Sequence, residues 1–403
     1  MRVLQINSDY KNSSTGKITE SLHELLTNKG VESFVIYGRK NKNEAAEKKV
    51  FASVSVYYSK LQHLLCNLFS DPYGFCFLST TKIIHMIRRI KPEIVHIQCI
   101  NGYFLNVYKL LEWLGQKKIK TVLTMHAEFL YTGGCDHAFD CSEWINNFCH
   151  NCTGVTNCRR RQNSFRVFQK LEKAFSFFDS NNIRIVAVSH WLEDRAKLSP
   201  IIKRFRVSTI MNGVNVSTFH YYENDIFKIR PKILFVTAGF NPDQLDNKGG
   251  RFVVEIANEL NKRNVDLSII VVASSGIITG SLPPNVEYLG KITNQEQLAR
   301  LYSEASATLI LSKRETFCMP VAESMCCGTY VVGFLSGGPE SIAIKEFSSF
   351  FDYGNVNSIV DLLCSRLHTK DDKERISQIA KKHYSQERMF NQYYSLYTEL
   401  IRG

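Results

Sequence analysis

Apolar and polar positions follow two different periods along the second half of the chain. Short runs rich in β-branched residues predict buried strands, and between them apolar residues recur at helical spacing. The clearest helix covers 250–263, where Phe252, Val253, Ile256, Ala257 and Leu260 share one face. Strands are predicted at 232–237, 267–273, 286–289, 307–311, 330–332 and 348–351, and a further helix at 294–305. Strands that alternate with helices predict a mostly parallel sheet covered on both faces.

The first half repeats this alternation less regularly. Strands are predicted at 3–6, 33–37, 94–97, 121–125 and 183–188, and helices at 18–28, 83–90 and 107–116. The segment 133–160 fits neither period and is predicted to be an ordered, cysteine-rich loop insertion. The polar stretch after the Asn212-Gly213 turn indicates a linker, and the tail after Asp371 has a helical pattern.

These elements predict an α/β protein with two Rossmann-like, doubly wound domains facing a cleft. The N-terminal domain covers 1–215, the linker 216–230 and the C-terminal domain 231–380. The helix over 381–403 is expected to pack back on the N-terminal domain. Ligands of such sheets bind beyond the carboxyl ends of the strands, so functional residues are expected just after each strand.

Composition narrows the class of protein. The chain has 403 residues with 44% apolar and 22% charged residues, which is ordinary for a globular protein. No apolar run approaches the ~18 residues that span a bilayer, and polar residues interrupt the N-terminal apolar run too early for a signal peptide. We therefore expect a cytoplasmic protein.

The net charge of +12 is unevenly distributed. Residues 1–210 contain 30 Lys and Arg against 17 Asp and Glu, whereas residues 211–403 contain 20 and 21. A basic half of this kind either is a solvated surface or attracts an anionic membrane, an acidic ligand or nucleic acid. Arg159-Arg160-Arg161 is the one dense run, and no nucleic-acid-binding motif accompanies it, so no nucleic-acid partner is predicted.

The segment from Glu315 to Gly333 carries the most specific chemistry. Pro320 suits the first turn of a helix and Gly328 the position just after its end, so a helix of about two turns is predicted between two strands. Glu315 lies in the loop that enters this helix, and Glu323 lies on it. Helix amides can receive a diphosphate, while a carboxylate beside them can accept hydrogen bonds from a sugar diol. The alternative is that Glu315 and Glu323 are ordinary surface charges that have this spacing by chance.

This segment resembles the Glu-x7-Glu motif of the retaining glycosyltransferases of family 4, which have the GT-B fold. Phe317 and Gly328 match that motif, whereas Cys318 replaces its usual glycine. The resemblance implies that Glu315 lies against the donor sugar as a catalytic residue and that Glu323 binds the ribose. It also implies that Phe317 and Cys318 lie at the donor phosphates, with the donor in the C-terminal domain and the acceptor at the N-terminal domain.

Two further loops match the resemblance. Lys248, which precedes Gly249 and a predicted helix, corresponds to a family lysine that grips the diphosphate; alone it would be read as a surface lysine. The family's arginine falls near Phe240 or Asn241 and is absent, so Arg251 or Arg314 could compensate. Near the N-terminus, Ser13-Ser-Thr-Gly16-Lys17 resembles a family loop that reads Ser-Thr-Gly-Arg. Gly16 and Lys17 are therefore predicted donor-binding residues.

His126 follows a predicted strand and corresponds to a family histidine that contacts the donor sugar, so we assign it a catalytic role. A lone histidine is more often structural. The family continues with an aspartate, but here Ala127 stands at that position. Glu128 could take over as an acceptor-side base.

The loop insertion contains a cysteine cluster. Cys135, Cys141, Cys149 and Cys152 include one Cys-x2-Cys pair, so four thiolates could hold a structural zinc ion. Reduced cysteines packed in a loop are the alternative, and the first pair lacks the usual spacing for zinc. Similar cysteines occur in the polysaccharide-making relatives.

Together these features predict a metal-independent, retaining hexosyltransferase that needs no cofactor. Its donor is a nucleoside diphosphate sugar. The resemblance to enzymes of colanic-acid, O-antigen and capsule biosynthesis implies a lipid-linked oligosaccharide acceptor, with the basic half peripheral at the inner membrane. The alternatives are another GT-B sugar enzyme, an epimerase or a phosphorylase, and a non-catalytic module that binds polyanions or membrane surfaces.

Overall fold

The computed structural model describes residues 1–40, 47–150, 152, 158–223, 231–244, 247–278, 280–366 and 372–403. The chain divides into two compact units. The first unit contains Met1–Met211 and Met389–Gly403, and the second contains Asn212–Arg388.

The first unit is built on a parallel sheet, as predicted. Its described strands are β1 (Arg2–Asn7), β2 (Glu32–Lys40), β3 (Val50–Ser55), β4 (Ile94–Ile97), β5 (Thr121–Met125), β6 (Ile183–Ala187) and β7 (Val207–Thr209). They lie in the order β3-β2-β1-β4-β5-β6-β7. Its helices are α1 (Ser14–Asn28), α2 (Val56–Leu68), α3 (Phe77–Ile90), α4 (Val107–Gln116), α5 (Glu143–Asn146), α6 (Cys158–Ser176) and α7 (His190–Leu198). The elements β3, β7, α2, α5, α6 and α7 were not predicted.

The second unit repeats the same winding. Its strands are β8 (Lys232–Phe240), β9 (Ser268–Gly276), β10 (Val286–Gly290), β11 (Ala307–Ile310), β12 (Tyr330–Phe334) and β13 (Ser348–Phe351), all parallel, in the order β10-β9-β8-β11-β12-β13. Its helices are α8 (Gly250–Lys262), α9 (Gln295–Glu304), α10 (Met319–Cys326), α11 (Gly338–Ile342), α12 (Val356–Arg366) and α13 (Lys373–Tyr384). Every predicted strand of this half is present.

Burial explains why the central strands were predictable. All residues of β4, β5, β6, β11 and β12 are buried, as expected for strands covered on both faces and read as continuous apolar runs. On α8 the buried residues include Val253, Ile256, Ala257 and Leu260. Each of these elements therefore carries its own apolar signal in the sequence.

The chain ends in helix α14 (Gln386–Arg402), whose residues from Met389 onward belong to the first unit. Met389, Tyr393, Tyr397 and Leu400 are buried in one core cluster with residues of β1, α1, β4 and β5. Two tyrosines of α14 also join a polar network. His96 bonds Tyr397 Oη at 2.6 Å and Thr124 Oγ1 at 2.8 Å, and Thr124 Oγ1 lies 2.9 Å from Tyr393 Oη. Apolar burial and buried hydrogen bonds therefore hold α14 against the sheet of the first unit.

Part of the segment predicted as a linker packs in the second unit. The Phe219 ring is buried, with its centroid 6.3 Å from that of Tyr302. The amides of Tyr221 and Tyr222 donate to the hydroxyls of Ser377 and Ser303, at 3.2 Å each. Residues 224–230 of that segment lie outside the described residues.

Candidate active site

The winding of the second sheet reverses between β8 and β11. Strands are added toward β10 on one side of β8 and toward β13 on the other. In open parallel sheets, ligands bind beyond the carboxyl ends of the strands at such a reversal. Lys248 follows β8 and Glu315 follows β11, so these two predicted residues come from the loops that flank this position.

Backbone contacts bring Lys248 close to the loop after β11. The amide of Lys313 donates to the carbonyl of Asn247 at 2.9 Å. Gly249 has φ +81°, and a Cβ built there would lie 2.2 Å from the Leu311 carbonyl oxygen. Both the left-handed conformation and the close approach require glycine. Gly249 therefore lets the backbone at Lys248 lie close to the loop after β11.

Lys248 Nζ donates to Glu315 Oε1 at 2.6 Å. The side chains are 37% and 18% exposed, respectively, so the pair is neither buried nor fully solvated. Partial burial strengthens the interaction of this cation with a second anion, because screening by water is weaker. The pair thus presents a cation held in place by a carboxylate at the reversal of the sheet.

Helix α10 has the predicted form. It spans eight residues with Pro320 in its first turn. Gly328 has φ +80°, and its amide donates to Met325 O while that of Thr329 donates to Ser324 O, both at 3.0 Å. This is the Schellman motif that terminates helices at glycine. The strand–helix–strand reading of this segment is confirmed.

Glu323 lies on α10, as predicted, and is the fifth of its eight residues. The fully buried Tyr302 donates through its hydroxyl to Glu323 Oε2 at 3.3 Å. Burial, together with the neighbouring Glu323 carboxylate, raises the pKa of Tyr302 well above its usual value. Tyr302 therefore stays protonated and orients the Glu323 carboxylate.

Cys318 lies among the charged groups of the site. Burial raises the pKa of the Cys318 thiol, Glu315 and Glu323 raise it further, and Lys248 opposes the change. Lys248, Glu315 and Glu323 therefore all lie close enough to act on one thiol. The Phe317 side chain is 4% exposed, so a donor contact from Phe317 would come from its backbone.

Cys318 also adopts a backbone conformation that disfavours its side chain, with φ +76° at the N-cap of α10. A non-glycine residue in the left-handed region costs about 1–2 kcal/mol. This explains why the related motif has glycine at this position. Cys318 in place of the motif's glycine therefore strains the backbone at the start of α10.

We expect Cys318→Gly to be more stable than Cys318→Ala by about 1 kcal/mol, because both remove the thiol and only glycine removes the strain. Within α10, at Cys326, the order should reverse, since glycine in a helix is about 1 kcal/mol less stable than alanine. Urea unfolding of the four variants measures both differences. Equal stability of the two Cys318 variants would show that no strain is stored there.

A third loop, which was not among the predicted site residues, holds the backbone of Glu315. The Glu315 amide donates to Ser336 O at 3.1 Å, and the Gly338 amide donates to Glu315 O at 2.8 Å. The Glu340 carboxylate accepts from the amides of Ser336 and Gly337, at 3.0 and 2.7 Å. A Cβ at Gly338 would lie 2.4 Å from the Thr316 carbonyl carbon. The pattern Gly337-Gly338-Pro339-Glu340, which follows β12 and opens α11, was the feature of the sequence that could have indicated this loop.

The structure describes both arginines that could compensate for the missing family arginine. Arg251 Nε donates to Glu255 Oε1 at 2.5 Å within α8. Arg314 adjoins Glu315 in the loop after β11. Compensation by Arg251 or Arg314 stays a prediction.

In the first unit, Gly16 lies in the first turn of α1 instead of before it. Ser13 caps the helix by accepting from the Gly16 amide at 3.0 Å. A Cβ at Gly16 would lie 3.0 Å from the Lys11 amide nitrogen, so glycine lets the loop after β1 fold against the helix. Lys17, the next residue of α1, is exposed.

His126 immediately follows β5, as predicted. Its Nε2 lies 3.4 Å from Gln98 Oε1, and Gln98 Nε2 donates to Gln5 Oε1 at 2.9 Å. Burial lowers the pKa of His126 to about 4. His126 is therefore neutral at physiological pH, and one ring nitrogen can accept a hydrogen bond.

Glu128 does not fit the role of acceptor-side base. It is fully buried and accepts from Arg195 Nε at 2.7 Å, Tyr131 Oη at 2.8 Å and the Ala138 amide at 2.6 Å. A carboxylate so bonded holds the following loop in place and has no access to an acceptor hydroxyl. The proposal of Glu128 as a base is therefore wrong.

The cysteine-rich segment is ordered around Trp144, as far as the structure describes it. Trp144 is buried, and its Nε1 donates to Cys141 O at 2.8 Å. Burial and the neighbouring cysteines raise the pKa of Cys135 to about 12, and burial likewise raises that of Cys149 to about 12. Within the described ranges, no group of three or more His, Cys, Asp or Glu side chains is arranged to hold a metal. Zinc at Cys135, Cys141, Cys149 and Cys152 stays a prediction.

Comparisons with known proteins match part of the second unit. Residues 278–383 match the family described as "Glycosyl transferases group 1", a range that includes Glu315 and Glu323. N-acetyl-alpha-D-glucosaminyl L-malate synthase of Bacillus anthracis is 27% identical over 124 residues, which span 29% of this chain and 31% of that enzyme.

Two solved structures share the fold over their whole length. Sucrose-phosphate synthase from Thermosynechococcus elongatus aligns with a TM-score of 0.69 at 14% identity, covering 100% of this chain and 99% of that one. Anabaena Alr3699/HepE in complex with UDP-glucose aligns with a TM-score of 0.61 at 13% identity, covering 99% and 100%.

The two parallel-sheet units and these structures confirm the GT-B fold class. Across the described part of the chain, no helix has the length and apolar character needed to cross a bilayer.

Proposed function

We propose that the protein transfers a hexosyl residue from a nucleoside diphosphate sugar to a lipid-linked saccharide acceptor, with retention of anomeric configuration, in surface polysaccharide biosynthesis. The observation that carries this proposal is the Lys248–Glu315 pair at the reversal of the second sheet, with Glu323 on the adjoining helix. The solved structure named as a complex with UDP-glucose supports a nucleotide-sugar donor.

In this proposal the donor diphosphate lies against Lys248 and the first amides of α10. The bond between the anomeric carbon and the phosphate oxygen breaks, and its electron pair leaves with the diphosphate. Lys248 offsets that developing charge, a stabilisation that acts mainly in the transition state. The acceptor oxygen forms the new bond to the anomeric carbon on the same face, and its proton passes to the departing diphosphate.

The other residues complete the site in this proposal. Glu323, oriented by Tyr302, binds the ribose diol of the nucleotide, and Glu315 contacts the donor sugar while holding Lys248. In the first unit, Gly16 and Lys17 supply further donor contacts, and neutral His126 accepts a hydrogen bond from the donor sugar. No metal ion is required, since Lys248 and the α10 amides supply the positive charge. The enzyme acts on the cytoplasmic side, peripheral at the inner membrane.

The test is a panel of UDP-, GDP- and ADP-sugars incubated with the full-length protein and lipid-linked saccharides. We expect one nucleotide to be released and one glycosylated lipid to be detected by mass spectrometry, with the anomeric configuration of the donor. An epimerase would convert the donor sugar without releasing nucleotide. A binding module would leave all donors intact and show no heat of binding with UDP, GDP or ADP.

A further inference from the structure

Helix α2 is packed with its polar side inward. Its buried residues are Ser59, Gln62 and Cys66. Four large apolar residues, spaced by four, three and four positions, share the opposite face and are 53–72% exposed: Tyr57, Leu61, Leu64 and Leu68. This spacing places them on one side of a helix. In an ordinary surface helix the polarity would be the reverse.

Hydrogen bonds fix this orientation. Ser59 Oγ donates to the Gly102 carbonyl, and Gln62 Oε1 accepts from the Cys76 amide at 2.9 Å. Turning the helix to bury its leucines would break both bonds and leave polar groups unpaired, which is costly inside a protein. The fold therefore holds the leucines of α2 facing outward.

The exposed apolar surface continues into the connection to α3. Phe69, Phe77 and Leu78 are each more than half exposed. The described residues include fourteen exposed large apolar side chains, and seven of them fall within 57–78. Single exposed apolar residues are normal, whereas a contiguous patch marks an interaction site. We call Tyr57, Leu61, Leu64, Leu68, Phe69, Phe77 and Leu78 the apolar face.

The sequence that carries the apolar face is basic. Residues 50–92 contain Lys60, Lys82, Arg88, Arg89 and Lys91, against one acidic residue, Asp71. Asp71 is paired with Lys170. Lys60 lies on α2 itself, and Lys109 Nζ lies 5.6 Å from the centre of the Phe77 ring. Lysines therefore border the apolar face on α2 and at Phe77.

A groove adjoins the apolar face at Phe77. It has a volume of about 490 Å³, and the charged residues of its lining are Lys109, Lys170 and Lys173 with one carboxylate, Glu112. A groove with several lysines beside exposed aromatic side chains suits an anionic headgroup whose acyl chains meet the apolar residues. The same arrangement attracts basic amphipathic surfaces to anionic lipid.

We propose that the apolar face inserts into the interfacial layer of a bilayer containing anionic phospholipid, with Lys60, Lys109 and the other lysines of the groove contacting the headgroups. Three lysines against one carboxylate in the groove favour an anionic headgroup over a neutral one. The assignment gives the proposed lipid-linked acceptor a structural basis and in that respect rests on the proposed function. Lipid binding itself does not require sugar transfer, so the two can fail separately.

The test is co-sedimentation of the full-length protein with vesicles of phosphatidylcholine alone or mixed with phosphatidylglycerol. We expect binding to the mixed vesicles, weakened by salt, and little binding to the neutral ones. The double variant Leu61→Ser/Leu64→Ser should lower partitioning about tenfold or more. The control Leu198→Ser/Ile277→Ser removes equally exposed apolar residues elsewhere and should bind like wild type.

Cleavage of a water-soluble nucleotide sugar should be unchanged in the double variant, which separates this proposal from the proposed function. A second readout does not depend on that variant: the fluorescence of Leu64→Trp should be quenched by brominated phosphatidylcholine in vesicles that also contain phosphatidylglycerol. Wild-type protein that stays in the supernatant with both kinds of vesicle would overturn the proposal. So would a double variant that sediments like wild type, or one whose only effect is to turn a dimer into a monomer.

Discussion

Lys248→Met is expected to slow cleavage of the donor's sugar–phosphate bond about 10²–10³-fold. The variant removes the cation that Glu315 holds at 2.6 Å and that we place against the departing diphosphate. Lys248→Arg should retain part of the rate, because the charge is preserved while the geometry changes. Nucleotide release under saturating donor measures the loss.

Lys262→Met is the matched control for this prediction. Lys262 ends the helix that Lys248 precedes, and its side chain is 79% exposed beside Glu259. Its removal should leave turnover within experimental error. If both lysine variants turned over like wild type, Lys248 would have no role in charge stabilisation. If both lost activity equally, the effect would be one of net charge.

The second large effect concerns stability. Glu128→Ala should lower the free energy of unfolding of the first unit by about 3–5 kcal/mol, because it leaves the Arg195 guanidinium without its buried partner. Arg195 also lies against the rings of Trp144 and Trp191, at 5.2 and 5.1 Å from their centres. The loss should therefore spread into the cysteine-rich segment, which hydrogen exchange can follow.

Glu32→Ala is the control for Glu128. Glu32 Oε2 accepts from Arg2 Nε at 2.7 Å and Glu32 Oε1 lies 3.6 Å from Lys49 Nζ, all with side chains 36–39% exposed, and such exposed pairs contribute little to stability. Denaturant unfolding of the two variants compares a buried with an exposed carboxylate in the same unit. Equal small losses would contradict the network assigned to Glu128.

The sequence predicted helix α10 well because its determinants are local. Pro320 lies in its first turn and Gly328 follows its end, and both signals act without the rest of the chain. The Lys248–Glu315 contact could not be derived from periodicity, since the two residues are 67 positions apart. It depends on Gly249 approaching the Leu311 carbonyl, which becomes visible only when β8 and β11 are placed side by side. The family resemblance instead placed both Lys248 and Glu315 at the donor.

The misses have physical reasons as well. Helix α2 was missed although Tyr57, Leu61, Leu64 and Leu68 recur at helical spacing. That period predicts a helix, but it does not tell whether the apolar side faces the core, and here it faces outward. Strand β3 lies at the edge of its sheet with only one buried residue, which leaves a weak apolar signal. Glu128 was misassigned because sequence alone does not distinguish a carboxylate beside a ligand from one enclosed by Arg195, Tyr131 and a loop amide.

A crystal structure of the protein with a bound nucleoside diphosphate would decide whether Lys248, Glu315 and Glu323 form the donor site. We expect the diphosphate within about 3 Å of Lys248 Nζ, beside the first turn of α10, and the ribose hydroxyls on the Glu323 carboxylate. A nucleotide bound on another surface, with the Lys248–Glu315 pair and Glu323 untouched, would contradict this expectation.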